Sequence, residues 1–277
     1  MSIVITDLDF KYENTTIFEK LNLHLLPKNR YVLSGLNGCG KSTLLKIIAG
    51  KTISDYGKVK VLDEDPFRCT TLNAHIAYLS NDWGTRTVAY SGYNIPIQSA
   101  IQVKDMMVEL RKKYSERSDE LLDVLGINLE WSLNNISEGQ RKRVQLYLGL
   151  VQPFKICLLD EITVNLDVLV KNRLMNYLKK ESIENNACII YVTHIFDGLD
   201  EWCSQLIYMK RTRQVSIVPM CDIENKNIYG YLLEKFEQEF DHTSVENGER
   251  TTDIISKNAG GYTNGVLINY LTITDKS

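Results

Sequence analysis

The amino-acid sequence predicts an α/β fold in three phases: a β-rich start, a helical middle, and a final alternation of strands and helices. The start contains short apolar and β-branched runs, at residues 3–5, 8–12, 21–25, 30–34, 56–62 and 75–80. The middle shows helical periodicity, at residues 104–113, 118–125 and 137–151. The end has the pattern of a buried parallel sheet, with strands at 155–160 and 187–192 and helices at 168–182 and 197–204. This order predicts one core into which a helical subdomain, about residues 83–153, is inserted.

The most specific motif matches the phosphate-binding loop pattern of a glycine, four further residues and Gly-Lys-Ser/Thr. Its residues are Gly35, Leu36, Asn37, Gly38, Cys39, Gly40, Lys41, Ser42 and Thr43. An apolar strand precedes it and an apolar-faced helix follows it, as the motif requires. The glycines let main-chain N–H groups turn toward phosphate oxygens without a Cβ clash. Lys41 can then reach the outer phosphates, and the Ser42 hydroxyl can bind Mg²⁺, so the sequence predicts a P-loop NTPase core.

An acidic pair, Asp160-Glu161, ends the apolar run that begins at residue 155. Nucleotide hydrolysis needs a carboxylate near Mg²⁺ and a group that orients or deprotonates water. We expect Asp160 to engage the metal and Glu161 to address the attacking water. An acidic pair alone is more often part of a solvated turn. The phosphate loop upstream is what favours a role in nucleotide hydrolysis for this pair.

Composition restricts the function classes. The chain has 277 residues, of which 44% are apolar and 24% charged, which is typical of a soluble globular protein. A net charge of −3 gives no overall attraction to nucleic acid, so no direct nucleic-acid binding is indicated. No apolar run has the length of a membrane span, so any transport pore would belong to another chain. Six cysteines without C-x-x-C pairing favour a reduced, intracellular setting.

An ordered set of motifs resembles the ATPase domain of ATP-binding cassette (ABC) proteins over roughly residues 1–215. The phosphate loop is followed by Ile136-Ser137-Glu138-Gly139-Gln140, which is similar to the family's Leu-Ser-Gly-Gly-Gln signature. The stretch from Val164 to Asp167 is similar to the family's D-loop. His194, after a predicted strand, is similar to the switch histidine. Tyr12 lies where the family has an aromatic that stacks on adenine.

The resemblance implies a P-loop NTPase core of ABC type with an N-terminal antiparallel β subdomain and an inserted α-helical subdomain. It implies ATP and Mg²⁺ as ligands, with Ser42 and Asp160 at the metal. The implied catalytic residues are Glu161, His194 and Lys41.

A second subunit also follows from the resemblance. The signature residues Ser137, Glu138, Gly139 and Gln140 would face the nucleotide of that subunit, with Asp167 in the D-loop. One chain would then carry two half-sites of a homodimer or heterodimer.

Two residues depart from the family pattern. Asn81 stands where the family has a glutamine, and its shorter side chain makes a water-bridged contact to Mg²⁺ the alternative to a direct one. Glu138 replaces the first glycine of the signature and adds a negative charge there.

Within the family, four stretches are similar to the soluble eukaryotic ABC ATPases typified by the CCR4-associated factor of yeast, at residues 81–83, 141–150, 158–168 and 193–199. That group has no membrane domain and is linked to the CCR4–NOT transcription-regulatory complex. The likeness implies a regulatory ATPase in the cytoplasm, with the nucleus also open.

Other functions remain open at this stage. One is the ATP-hydrolysing subunit of a membrane transporter whose membrane part is a separate chain, and another is a nucleotide-binding scaffold that has lost catalysis. A chromosome-maintenance ATPase is disfavoured, because no long heptad arm interrupts the cassette. We place the ABC ATPase domain at residues 1–220. Residues 221–277 form an extension of unknown role, in which an apolar stripe from Ile228 to Phe240 fits either partner docking or packing.

Overall fold

The computed structural model describes residues 2–13, 15–80, 87–90, 93–96, 101–164 and 166–247. Its strands are β1 (Ile3–Tyr12), β2 (Thr15–Leu25), β3 (Arg30–Gly35), β4 (Val59–Val61), β5 (Ile76–Leu79), β6 (Thr87–Tyr90), β7 (Tyr93–Pro96), β8 (Ile156–Asp160), β9 (Cys188–Val192), β10 (Gln205–Met209) and β11 (Val215–Pro219). Its α-helices are α1 (Lys41–Ile48), α2 (Val103–Lys113), α3 (Ser115–Leu125), α4 (Glu138–Leu150), α5 (Val168–Glu184) and α6 (Ile228–Asn247).

An antiparallel sheet in the order β2-β1-β4 forms the N-terminal part of the described chain. Along β1, Ile3 and Ile5 are buried, and the next buried side chain is Leu8. The spacing between successive buried side chains grows from two residues to three because the β1–β2 register shifts between Ile5 and Leu8. This shift marks a β-bulge. The bulge keeps the apolar residues of both halves of β1 on the core face, as the predicted antiparallel β subdomain requires.

A second sheet carries the core and has the order β11-β10-β3-β9-β8-β5 in the described chain. Its strands run parallel except β11, which pairs antiparallel with β10. All five residues of β8 and all five of β9 are buried, as expected for strands covered on both faces. In the register Leu33, Val192 and Asp160 lie side by side, so the segments that follow β3, β9 and β8 leave the sheet at one edge.

The sequence-based fold class is confirmed, and several of its elements differ in detail. Residues 197–204, predicted as a helix, form turns, because Gly198 adopts φ +75° and Trp202 anchors its indole N–H on the Met175 carbonyl at 2.8 Å. Strands β10 and β11 were not predicted, although Leu206, Ile207 and Tyr208 form an apolar run.

The segment predicted to be helical begins instead with the β6–β7 hairpin, and its first helix is α2. Thr, Val, Tyr and Ile in that hairpin favour strands, which explains the difference. The chain divides into two compact units, residues 1–231 and 232–277, and this division lies within α6, beyond the boundary expected after residue 220. The domain limits stay a prediction.

Candidate functional site

The phosphate loop leaves β3 at Gly35 and enters α1 at Lys41. Gly40 has φ +102°, and a Cβ there would lie 2.7 Å from Ile17 Cγ2 and 2.9 Å from Phe18 Cε1. A Cβ on Gly35 would lie 2.3 Å from the Met209 carbonyl oxygen. Both glycines are therefore required for steric reasons, because β2 and β10 press against the loop from either side.

Lys41 is buried, and its ammonium donates to the carbonyls of Gly35 at 2.7 Å and Leu36 at 3.2 Å. Burial lowers the pKa of Lys41, and the nearby acidic groups of Cys39, Glu161 and Asp160 oppose that shift. An ammonium has three donors, so one remains for a phosphate oxygen. The lysine is thus held inside the loop by the loop's own carbonyls.

Asp160 is the last residue of β8 and is buried, whereas Ser42 at the start of α1 is exposed. Burial raises the pKa of the Asp160 carboxyl, and a hydrogen bond with the Ser42 hydroxyl counteracts that rise. A carboxylate hydrogen-bonded to a hydroxyl fits Mg²⁺, which takes one or two protein oxygens and completes its shell with water and substrate phosphates. Among the described residues no group of three or more His, Cys, Asp or Glu could hold a metal alone.

Glu161 turns away from β8 and toward the end of β9. Its φ is +53°, which is rare for a side chain other than glycine and marks a held backbone conformation. Its main-chain N–H donates to the Val192 carbonyl at 3.0 Å. This turn directs the carboxylate to His194, whose Nε2 lies 3.1 Å from Glu161 Oε1.

The hydrogen bond from His194 is the main cause that lowers the pKa of Glu161, and it outweighs the opposing effect of burial. Both side chains are about two-fifths exposed, at 41% for His194 and 38% for Glu161, so solvent can reach the carboxylate. An ionised carboxylate open to water and oriented by a histidine can act as a general base.

Three buried hydroxyl groups, of Thr163, Tyr191 and Thr193, support the segments on which this pair lies. Thr163, just after Glu161, forms a short hydrogen bond with the Tyr191 hydroxyl of β9. Thr193 Oγ1 accepts from the Ile195 N–H at 3.0 Å and so shapes the turn at His194. No role for these three side chains was predicted from the sequence, because their hydrogen bonds depend on how the strand ends pack.

The signature segment begins α4 with a capping box. Ser137 Oγ accepts from the Gln140 N–H at 3.2 Å, and Gln140 Oε1 accepts from the Ser137 N–H at 2.8 Å. Ser137 and Glu138 are exposed, and Gly139 is half-buried. The helix N-terminus with its Ser137 hydroxyl thus faces solvent, as a site for phosphate on another chain requires.

Asp167 caps the N-terminus of α5, where its Oδ1 accepts from the Val170 N–H at 2.9 Å. Its other oxygen, Oδ2, forms a short ion pair with Arg143 of α4. The D-loop is therefore linked to the signature helix within one chain. This ion pair was not predicted from the sequence. The position of Arg143, three residues after Gln140 on the same helix, was the one feature that could have indicated a role for it.

The remaining predicted residues fall in three places. Tyr12 is 45% exposed near the end of β1 and packs edge-on against Phe10, with ring centroids 5.0 Å apart. The exposed part of the Tyr12 ring is available to stack on a nucleobase. Thr43 lies in the first turn of α1, and Asn37 and Gly38 are exposed at the tip of the loop. Asn81 lies outside the described residues.

Comparisons with known proteins give the family. Residues 18–164, more than half of the chain, match the family described as "ABC transporter". The chain is 41% identical over 206 residues to ABC transporter I family member 20 of Arabidopsis thaliana, covering 74% of this chain and 62% of that relative. It therefore spans less than two thirds of that relative. It is 35% identical over 218 residues to CCR4-associated factor 16 of Saccharomyces cerevisiae, covering 76% of this chain and 75% of that relative.

Solved structures show the same fold. An ATP-binding subunit of an ABC transporter superimposes with a TM-score of 0.67 at 19% identity, covering 82% of this chain and 93% of that one. An ATP-binding cassette dimer in a post-hydrolysis state with ADP and Pi superimposes with a TM-score of 0.61 at 20% identity, covering 77% and 97%. In the described residues no helix is long and apolar enough to cross a membrane. With the family match, the close relatives and the fold in agreement, this chain belongs to the ATP-binding cassette family.

Proposed function

We propose that this protein is a soluble ABC-type ATPase that hydrolyses ATP–Mg²⁺ between two chains. The observation that supports it most is the convergence of the phosphate loop, Asp160, Glu161 and His194 at one edge of the parallel sheet. A nucleotide-binding scaffold would need the loop alone. The Glu161–His194 contact of 3.1 Å has the geometry of a general base with its orienting partner, which favours hydrolysis.

Each residue has a role in the proposed reaction. The loop amides and Lys41 bind the β- and γ-phosphates, and Ser42 and Asp160 hold Mg²⁺. The metal, when bound, neutralises charge that develops on the phosphate oxygens. Glu161 accepts a proton from the attacking water, and His194 orients Glu161 and contacts the γ-phosphate.

A second chain supplies the rest of each site. Its Ser137 hydroxyl and Gly139 N–H approach the γ-phosphate at the N-terminus of α4, where the helix dipole favours an anion. Tyr12 stacks on adenine in the first chain. Hydrolysis removes the γ-phosphate that bridges the two chains, so the dimer opens. Either a homodimer or a heterodimer satisfies this arrangement.

The test is Glu161→Gln, which keeps the shape of the side chain and removes the base. With saturating ATP and Mg²⁺ we expect a stable dimer by light scattering and turnover reduced by a factor of about 10² or more. Glu201→Gln is the matched control, because Glu201 is exposed and lies outside the site. A Glu161→Gln protein that stays monomeric would exclude the homodimer, and one that retains full turnover would exclude Glu161 as the base.

For the cellular role we propose regulation in the cytoplasm or nucleus, within a transcription-regulatory complex such as CCR4–NOT. The support is the name of a relative, CCR4-associated factor 16, with a match that covers three quarters of each chain. The family's own description, "ABC transporter", supports the alternative of a transporter subunit with a separate membrane chain. Affinity capture from membrane and soluble fractions separates the two. A polytopic membrane partner supports transport, and soluble partners alone support regulation.

We expect Asn81 to affect the rate of ATP hydrolysis and not the class of reaction. Turnover of Asn81→Gln is the measurement. A large gain over the natural protein would mean that the shorter amide limits catalysis. Measurable turnover of the natural protein, equal to that of Asn81→Gln, would remove the scaffold alternative that Asn81 raised.

A further inference from the structure

A cleft of about 710 Å³ lies between the β1–β2 hairpin and the β10–β11 hairpin. Its lining includes none of the phosphate-loop residues, nor Asp160, Glu161 or His194. The volume is in the range of about 300–1,000 Å³ typical of ligand sites. The cleft is therefore a second candidate site, separate from the nucleotide.

The charges in the cleft are unbalanced. Glu19 forms a short ion pair with Arg213, and Asp9 Oδ1 accepts from the main-chain N–H of Lys20 at 2.9 Å. Three cationic side chains, Lys20, Lys210 and Arg213, therefore line the cleft with two carboxylates, which leaves an excess of one positive charge. In the described part of the chain, the ammonium groups of Lys20 and Lys210 have no ion-pair or hydrogen-bond partner, and both residues line the cleft. The site favours an acidic ligand, although the whole chain has a net charge of −3.

One wall of the cleft is formed mainly by edge strand β2, and the other is the β10–β11 turn with the first two residues of edge strand β11. Within the described residues, β2 pairs only with β1, and β11 pairs only with β10. The bonds from Lys210 N to Gln214 O and from Met220 N to Ser204 O fix which residues of β11 bond to β10. Antiparallel pairs alternate, so Val215, which lines the cleft, and Ile217, further along β11, direct their N–H and C=O groups away from β10. Such an edge can accept another strand.

The backbone is held in unusual conformations at this cleft. Lys20 has φ +47° and Arg213 has φ +66°, a region that costs a residue other than glycine about 1–3 kcal/mol. At Lys20 the register of β1 and β2 shifts, so that Asp9 faces both Glu19 and Lys20. A bulge of this kind redirects side chains and is frequent beside binding sites.

We infer that the cleft binds an extended acidic segment of a partner protein, which adds a strand to the β11 edge and places carboxylates against Lys20 and Lys210. A small anion would neutralise the two ammonium groups but would leave the main-chain groups of Val215 and Ile217 unused. A peptide satisfies both, because its main chain pairs with β11 and its acidic side chains reach the lysines. The site goes beyond the proposed ATPase reaction, since it needs no nucleotide.

The experiment is a titration of a fluorescein-labelled, eight-residue peptide of alternating Glu and Val with the full chain, followed by fluorescence anisotropy without nucleotide. We expect Lys20→Glu/Lys210→Glu to weaken binding at least tenfold. The matched control is Lys51→Glu/Lys179→Glu, which makes the same change in net charge outside the cleft and should alter binding less than twofold. Far-UV circular dichroism checks that both variants are folded.

Two further arms separate a strand from a simple anion. A peptide that is N-methylated at every second residue keeps its charge but loses main-chain N–H donors for β11. Two such peptides are tested, one methylated at odd and one at even positions. At least one of them should bind at least tenfold more weakly than the unmodified peptide. Inorganic phosphate at millimolar concentration should not displace the unmodified peptide.

The proposal fails if both N-methylated peptides bind as well as the unmodified peptide, if phosphate displaces that peptide, or if the cleft variant binds it normally. Because no nucleotide is present, none of these results bears on the ATPase proposal.

Discussion

The ion pair between Arg117 of α3 and Glu181 of α5 gives the sharpest stability prediction. Their side chains are only 15% and 3% exposed, and Arg117 Nη1 donates to Glu181 Oε1 at 2.5 Å. Arg117 Nε also donates to the Leu150 carbonyl at 3.0 Å, and its guanidinium lies over the Phe154 and Tyr177 rings. Removing one partner of such a pair leaves a buried, uncompensated charge, which typically costs about 3–5 kcal/mol.

We therefore expect Arg117→Met to lower the free energy of unfolding by about 3–5 kcal/mol. For a domain of this size each kcal/mol lost lowers the Tm by about 2–4 °C, so the Tm of this variant should fall by roughly 6–20 °C. Urea unfolding measures the first quantity and thermal unfolding the second. Lys180→Met is the control, because the Lys180–Glu120 pair also links α5 to α3 but is exposed, and such pairs contribute about 0–1 kcal/mol.

The double variant Arg117→Met/Glu181→Met provides the decisive comparison. Replacing both members by apolar side chains of similar volume removes the unpaired charge, so the double variant should be more stable than either single variant. Destabilisation below about 1 kcal/mol for Arg117→Met would refute the reasoning. Strict additivity of the two single changes would refute it as well.

Three further predictions concern the site and the cysteines. Gly40→Ala should abolish binding of a fluorescent nucleotide, because its Cβ meets β2, whereas Gly57→Ala, at φ +76° with open space around it, should leave binding unchanged. His194→Ala should move the acid limb of the residual pH–rate profile to higher pH, since the hydrogen bond that lowers the pKa of Glu161 is lost. In the natural protein the stabilisation from that bond is lost only as pH falls through the lowered pKa of Glu161. Cys188 should resist iodoacetamide at neutral pH by mass spectrometry of the folded chain, since burial raises its pKa to about 12.

The sequence predicted the parts of the site that depend on contiguous residues. The phosphate loop and Asp160-Glu161 each combine a strand with a local motif, so their place at the end of β3 and β8 followed from pattern alone. Contacts between distant residues could not be predicted in this way. Arg143–Asp167 and the cleft charges depend on how helices and hairpins meet, and no periodicity encodes that.

These contacts bear on how one chain can serve two half-sites. Helix α4 is held at two points: Arg143, near its middle, pairs with Asp167 at the start of α5, and Arg117 donates to the Leu150 carbonyl at its C-terminal end. Asp167 follows Glu161 by a short loop, so helix α4, which begins with the signature, is linked to the segment that carries the proposed base. Displacement of α4 by a nucleotide on another chain would therefore be resisted near its middle and at its C-terminal end. We expect Arg143→Ala to leave single-chain nucleotide affinity unchanged while reducing ATP-dependent dimer formation by Glu161→Gln. Light scattering of the double variant measures this, and undiminished dimer formation would show that the Arg143–Asp167 pair does not position the signature helix.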